Sequence, residues 1–98
     1  MAIRNFKNKG TEDINYGRES KEAFRILPGH LHRKARIKLA RLGAVTSMQD
    51  LVEIRGNRFE KLKGERGGQY SIRINDQYRV CFKWEHEDAV DVEIVDYH

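Results

Sequence analysis

From residue 59 onward the apolar side chains recur at every second position, and that period confines this part of the chain to β-strands. Residues 59–63 read as one strand. Residues 69–74 read as a second, with Tyr70, Ile72 and Ile74 on one side. Residues 78–85 make a third, with Val80, Phe82 and Trp84 together. Residues 89–96 make the last, with Val90, Val92 and Ile94 together.

The first half has a different rhythm. Residues 3–6 alternate and predict a short strand. Thr11 is placed to N-cap a short helix that ends near Gly17. Residues 18–27 stay open between loop and a helical turn over 20–27, because Pro28 discourages helix at Leu27. The longest helix is expected from Pro28 to Gly43. Leu31, Ala35, Leu39 and Leu42 form its core stripe, with Ile37 and Ala40 off it. Arg33, Lys34, Arg36, Lys38 and Arg41 fall on its exposed faces, either as a solvated surface or as a basic face for RNA or an acidic partner. Residues 47–51 read as one further helical turn. Helices first and an antiparallel meander after give an α+β fold, with the helices packed on one sheet face. At 98 residues the chain is expected to be one domain, 1–98.

Charged residues make up 35% of the chain and apolar ones 39%, but the apolar positions are periodic, which argues against disorder. The net charge of +4 and pI near 9.4 suit a polyanion partner, although many basic proteins have none. One cysteine, Cys81, allows no internal disulfide and reads as a small core or near-core residue. The opening residues lack the apolar run of a signal peptide, and no stretch approaches the roughly 20 apolar residues of a membrane span. A cytoplasmic protein without membrane contact is expected. His30 and His32 point to different helix faces, and no carboxylate/histidine cluster has ligand spacing, so neither metal nor other cofactor is expected. Gly67 and Gly68 lack the spacing of a phosphate-binding loop.

The hairpin register carries most of the functional information. Both strands bury even-numbered residues, and directly opposed residues share a face. The loop must then have an odd length, which Asn75, Asp76 and Gln77 supply. Arg73 consequently faces Arg79. Like charges directly opposite destabilise a sheet. A carboxylate partner, a bulge or an anionic ligand would each relieve the repulsion. Gln69, Ser71 and Lys83 share this polar face, and Lys61 and Lys63 lie together on the preceding strand, with Lys63 able to join the surface near Gly64. Asp96, Tyr97 and His98 add three titratable side chains at the end of the last strand.

Several of these runs together resemble one family. They are Leu62, Lys63 and Gly64; the Gly-Gln-Tyr-Ser-Ile-Arg run of residues 68–73; Asn75, Asp76, Gln77, Tyr78 and Arg79; and the closing Val95, Asp96, Tyr97 and His98. The chain is similar here to the HigB-type toxins of the RelE superfamily, also described as plasmid-maintenance killer proteins. The resemblance spans the chain, is specific over 57–98 and is weak before Gly43. It implies an α+β fold of the microbial ribonuclease type. It also implies an mRNA endonuclease that cuts codons in the ribosomal A site and so inhibits translation. The implied partners are the ribosome with its mRNA and a HigA-like helix-turn-helix antitoxin, with operator DNA met only through the antitoxin complex. By position, Lys63 and Arg79 match basic active-site residues of the family, and Asp96, Tyr97 and His98 match its functional C-terminus. Glu60 stands where some relatives carry histidine, which leaves Glu60 as a candidate base or shifts that task to the C-terminal residues.

RNA cleavage without a metal needs deprotonation of the 2′-OH, in-line attack, stabilisation of the pentavalent phosphate and protonation of the leaving 5′-oxygen. Arg79, with Arg73 or Lys63, suits the phosphate. Glu60, Asp96 or His98 suits the proton. Tyr97 suits stacking on a base or orienting the sugar. Arg73, Lys61, Lys83 and Gln69 are candidate RNA contacts. Two other readings use the same residues: a non-catalytic RNA- or ribosome-binding module, and a regulatory partner whose basic helix docks an acidic peptide.

Overall fold

The computed structural model describes residues 2–97. Helices α1 (Lys9–Asn15), α2 (Lys21–Ile26), α3 (His32–Ala44) and α4 (Met48–Glu53) precede strands β1 (Glu60–Lys61), β2 (Gln69–Arg73), β3 (Tyr78–Glu85) and β4 (Asp88–Asp96). The strands form an antiparallel sheet in the order β1-β2-β3-β4. The α+β reading of the sequence therefore holds. The core lies between one sheet face and the helices. Ile72, Ile74, Val80, Phe82, Val92 and Ile94 meet Ile14, Ala23, Leu27, Ala35, Leu39, Leu42 and Leu51 there. Phe82 is wholly buried, which contributes roughly 1.5–3 kcal/mol relative to an exposed ring.

Caps set the helix limits. The first helix is capped by Asn8 and not by Thr11: the Asn8 side-chain Oδ1 accepts from Thr11 N at 2.8 Å. Thr11 is instead a buried strut, its hydroxyl accepting from Ile94 N of β4 at 3.0 Å. Ser20 caps α2 through Ala23 N, and Leu27 is extended ahead of Pro28. The segment expected as one helix from Pro28 begins as a 3-10 turn, Gly29–Leu31, before α3. Asp13 ties α1 to the following loop. Its buried carboxylate accepts from Ser20 Oγ at 2.6 Å and pairs with Lys9 at 2.7 Å and Arg18 at 3.3 Å. The Lys9 hydrogen bond, then that of Ser20, holds its pKa down at about 2.

Four further expectations change. Residues 3–6 do not form a strand of their own but run beside β4 through isolated parallel bridges, Ile3 to Ala89 and Phe6 to Val92. The first sheet strand is only Glu60–Lys61, shorter than 59–63. Lys38 is buried, not on an exposed face, because the loop after α4 brings Asn57 to its ammonium. Val90 does not share a face with Val92 and Ile94. Cys81 pairs with Glu93 but Lys83 pairs with Val90, so β4 carries one extra residue there. Asp91, at φ 53°, occupies the irregularity and exchanges hydrogen bonds with the Asn5 amide. A one-residue slip moves the side chains on one side of it to the other face. Ala89 therefore joins the core beside Trp84, and Val90 lies with Lys83 on the reverse face.

Candidate functional site

The sheet face turned away from the core is built from three rows. Gln69 lies opposite Lys83. Glu60, Ser71, Cys81 and Glu93 form the next row, and Arg73, Arg79 and Val95 the third. The three-residue loop and the Arg73–Arg79 pairing are those the parity of the sequence requires, with Ile74 N donating to the Tyr78 carbonyl at 2.9 Å.

Arg79 is the centre of this face. It is only 7% exposed, although it is a permanent cation. Its Nε donates to Ser71 Oγ at 2.7 Å, and one terminal nitrogen donates to the carbonyls of Arg58 and Ser71. Its guanidinium carbon sits 5.9 Å from the centre of the Tyr97 ring, within cation–π reach. All of these partners are neutral, and among the described residues Arg79 makes no ion pair. Arg73 takes the other course and pairs with Asp76 in the loop, which lowers the Asp76 pKa. The repulsion across the hairpin is thus relieved on one side only.

Glu60 is exposed and lies opposite Ser71, so it flanks the hydroxyl that receives the Arg79 Nε–H. Tyr97 follows the last strand; its N–H donates to the Gln77 carbonyl at 2.6 Å, and the residue is 38% exposed. Asp96 pairs with Tyr78 in register, which puts it on the helix-bearing side, where Gln77 Nε2 donates to its carboxylate at 3.2 Å. Lys63 is exposed and leads into a 3-10 turn, Gly64–Arg66. That turn is held over the reverse face by Arg66, which donates to Gln69 Oε1 at 3.1 Å and to Glu93 Oε1 at 2.9 Å. Beneath this cover Cys81 is fully buried, and burial pushes its thiol pKa up. Lys83 is exposed and pairs with Asp91 at 3.5 Å.

The structure thus gathers Arg79, Arg73, Glu60, Gln69, Lys83 and Tyr97 on one face. Lys61 does not join them: it lies opposite Tyr70, on the helix-bearing side. Asp96 is on that side too. His98 lies outside the described residues. Sequence reasoning missed Arg58, Arg66 and Glu93. The Glu93 position becomes legible only once the β4 irregularity is known, and Arg58 contributes a carbonyl that no side-chain pattern reveals. Among the described residues the site is an open face without an enclosed cavity, and no three His, Cys, Asp or Glu side chains gather as metal ligands would. An open basic face with one exposed carboxylate and an accessible aromatic ring is suited to a nucleic-acid backbone rather than to an engulfed small molecule.

Comparison with known proteins decides the family. A family profile described as the RelE-like toxin of type II toxin-antitoxin system HigB matches residues 4–98. The chain belongs to the HigB-like toxin family. Toxin HigB-1 of Vibrio cholerae serotype O1 is 38% identical over 84 residues, which is 86% of this chain and 84% of that protein. An uncharacterized protein of Haemophilus influenzae is 32% identical over 63 residues, 64% of this chain and 62% of its own length. Two structures of the YoeB-YefM complex of Staphylococcus aureus superpose with TM-scores of 0.59 and 0.54, at 22% and 18% identity, each covering 100% of this chain and 99% of theirs. At such identities the likeness is one of fold. HigB-like toxins belong to type II toxin-antitoxin systems and are in general endoribonucleases, with ribosome-dependent mRNA cleavage typical of the family. Among the described residues no helix of this HigB-like chain is long and apolar enough to cross a membrane.

Proposed function

We propose that this HigB-like toxin cleaves mRNA in the ribosomal A site without a metal ion, with Arg79 as the group that stabilises the reacting phosphate. The observation that carries the reading is the state of Arg79: a buried guanidinium whose described partners are neutral oxygens and an aromatic ring. A buried charge without a counter-charge is costly. A phosphate oxygen arriving in the transition state supplies that counter-charge when it is most needed.

In the reaction the 2′-oxygen bonds to phosphorus as the bond to the 5′-oxygen breaks. Glu60 takes the 2′ proton, because it alone of the described candidate bases shares the face of Arg79; Asp96 is opposite Tyr78 on the other side. His98 is the remaining candidate for the proton delivered to the 5′-oxygen. Arg73 and Lys63 bring further positive charge to the RNA, Gln69 and Lys83 extend the contact, and Tyr97 stacks on a base. The ribosome supplies the proximity effect by holding the mRNA in a reactive geometry, which fits an open face that does not enclose its substrate. The partner that silences the toxin is a HigA-like helix-turn-helix antitoxin, and operator DNA is met through that complex. The reading places the protein in the cytoplasm, where translating ribosomes are found.

Primer extension on a defined mRNA in a purified translation system tests the reading. Cuts within codons that appear only with ribosomes, and persist in chelator concentrations that the ribosomes tolerate, support it. A well-folded wild type that binds ribosomes without cutting would replace it with the binding-module reading.

A further inference from the structure

Asn57 is fully buried, and three parts of the chain converge on it. Its Nδ2 donates to the Leu51 carbonyl of α4 at 3.0 Å, its Oδ1 accepts from Lys38 Nζ of α3 at 3.0 Å, and its own carbonyl accepts from Arg73 N of β2 at 2.6 Å. The next residue, Arg58, has a φ of 42°, a left-handed conformation that only surrounding contacts hold in a residue of this type. The Arg58 carbonyl is the one that receives the Arg79 guanidinium. One residue thus separates the buried amide from the oxygen that aims Arg79.

Lys38 is the unusual member. Its side chain is buried, its hydrogen-bond partner is a neutral amide, and among the described residues it makes no ion pair. Burial, then the neighbouring charges of Arg41, Lys34 and Arg73, pushes its pKa down. An apolar side chain of the same length would remove the buried charge but leave Asn57 Oδ1 without its donor. What an ammonium adds is a charge-assisted hydrogen bond that fixes the Asn57 amide in one orientation.

We propose that Lys38 and Asn57 are positioning residues for Arg79: they lock the left-handed turn at Arg58, so that its carbonyl holds the guanidinium where the phosphate arrives. The inference rests on Arg79 acting on the phosphate, and it makes α3 part of the site although its apolar side chains pack in the core on the other side of the sheet.

Lys38→Met keeps the length and the apolar stem but removes the donor. The variant is expected to stay folded, with a lower melting temperature because the buried Asn57 Oδ1 loses its donor. Its kcat on programmed ribosomes should fall roughly ten- to hundredfold, with KM within about twofold of wild type. Lys38→Arg, which retains a donor, should recover most of the rate. In an Arg79→Lys background Lys38→Met should cost no further rate, because the two act through one group. The Arg79 Nε–H signal in 15N NMR provides a readout independent of cleavage: restricted guanidinium rotation in wild type should become fast in Lys38→Met and restricted again in Lys38→Arg. Wild-type kcat in a folded Lys38→Met, an unchanged Arg79 signal, or equal loss in both backgrounds of the cycle would each overturn the proposal. A changed Arg79 signal with Arg79→Ala still cutting at the wild-type rate would support the positioning while refuting the role given to Arg79 itself.

Discussion

Arg73 and Arg79 face each other across the β2–β3 hairpin yet take opposite partners: Arg73 pairs with Asp76 in the loop, and Arg79 turns to the hydroxyl of Ser71. The divergence separates two charges that would repel if both side chains stood straight out from the sheet. It also leaves Arg79 poised for an anion, whereas Arg73 already has one.

Ser71 should therefore matter beyond its size. It is fully buried, and Ser71→Ala leaves the Arg79 Nε–H without its acceptor. A loss of about 1–3 kcal/mol is expected in urea unfolding, the usual cost of an unsatisfied buried donor. Cleavage on ribosomes should slow roughly tenfold, reflecting a guanidinium no longer held in place. Full activity with unchanged stability would show that the hydroxyl does not orient Arg79.

Glu60 and Asp96, the two candidate bases among the described residues, lie on opposite faces of the sheet. Glu60→Gln should leave the melting temperature within about 2 °C, since the side chain is exposed. It should reduce the cleavage rate by roughly 10²–10⁴-fold, the usual worth of a general base. Asp96→Asn should cost far less. The reverse ranking would move the base to the C-terminal end.

Much of this arrangement was legible in the sequence, for a physical reason. Parity alone fixes the loop at an odd length and sets Arg73 against Arg79, because alternation in a strand has no slack. The same rule misplaced Val90, because Asp91 in a left-handed conformation inserts an extra residue that apolar spacing does not announce. Lys38 read as exposed because its helix stripe is complete without it; its burial depends on Asn57, distant in the chain. Thr11 and Asn8 are both good caps, and only the contact with Ile94 shows that Thr11 has another task. The role of Arg58 lies in its backbone, which side-chain chemistry does not encode.

Asp13 gives the fold an acid-sensitive element. Its folded pKa of about 2 lies below the ordinary value of 3.8, so its contribution to stability is fully present above about pH 4 and is lost as pH falls toward 2. Asp13→Asn should lower the melting temperature at pH 7 by roughly 5–10 °C. The gap from wild type should narrow between about pH 4 and pH 2, as the wild-type carboxylate itself becomes protonated. A gap independent of pH in thermal scans would assign the effect to lost hydrogen-bond geometry rather than to charge.

Gly10 marks where α1 and α2 touch. A Cβ there would stand 2.6 Å from the Glu22 carbonyl oxygen and 2.9 Å from Ile26 Cδ1. The oxygen belongs to the backbone of a helix and cannot swing away. Gly10→Ala should cost about 1–3 kcal/mol in urea unfolding despite the better helix propensity of alanine. A gain in stability would mean that the two helices separate easily.

The most direct test of the central claim is single-turnover cleavage of A-site mRNA on programmed ribosomes by wild type and Arg79→Lys, with folding checked by thermal melting. Lysine keeps the charge but loses the two parallel hydrogen bonds that a guanidinium offers a phosphate. A rate loss of roughly 10²-fold or more, with ribosome affinity near that of wild type, is the expected result. A folded Arg79→Lys that cuts within about twofold of wild type would contradict the account and send the search for the phosphate-binding group elsewhere on the sheet.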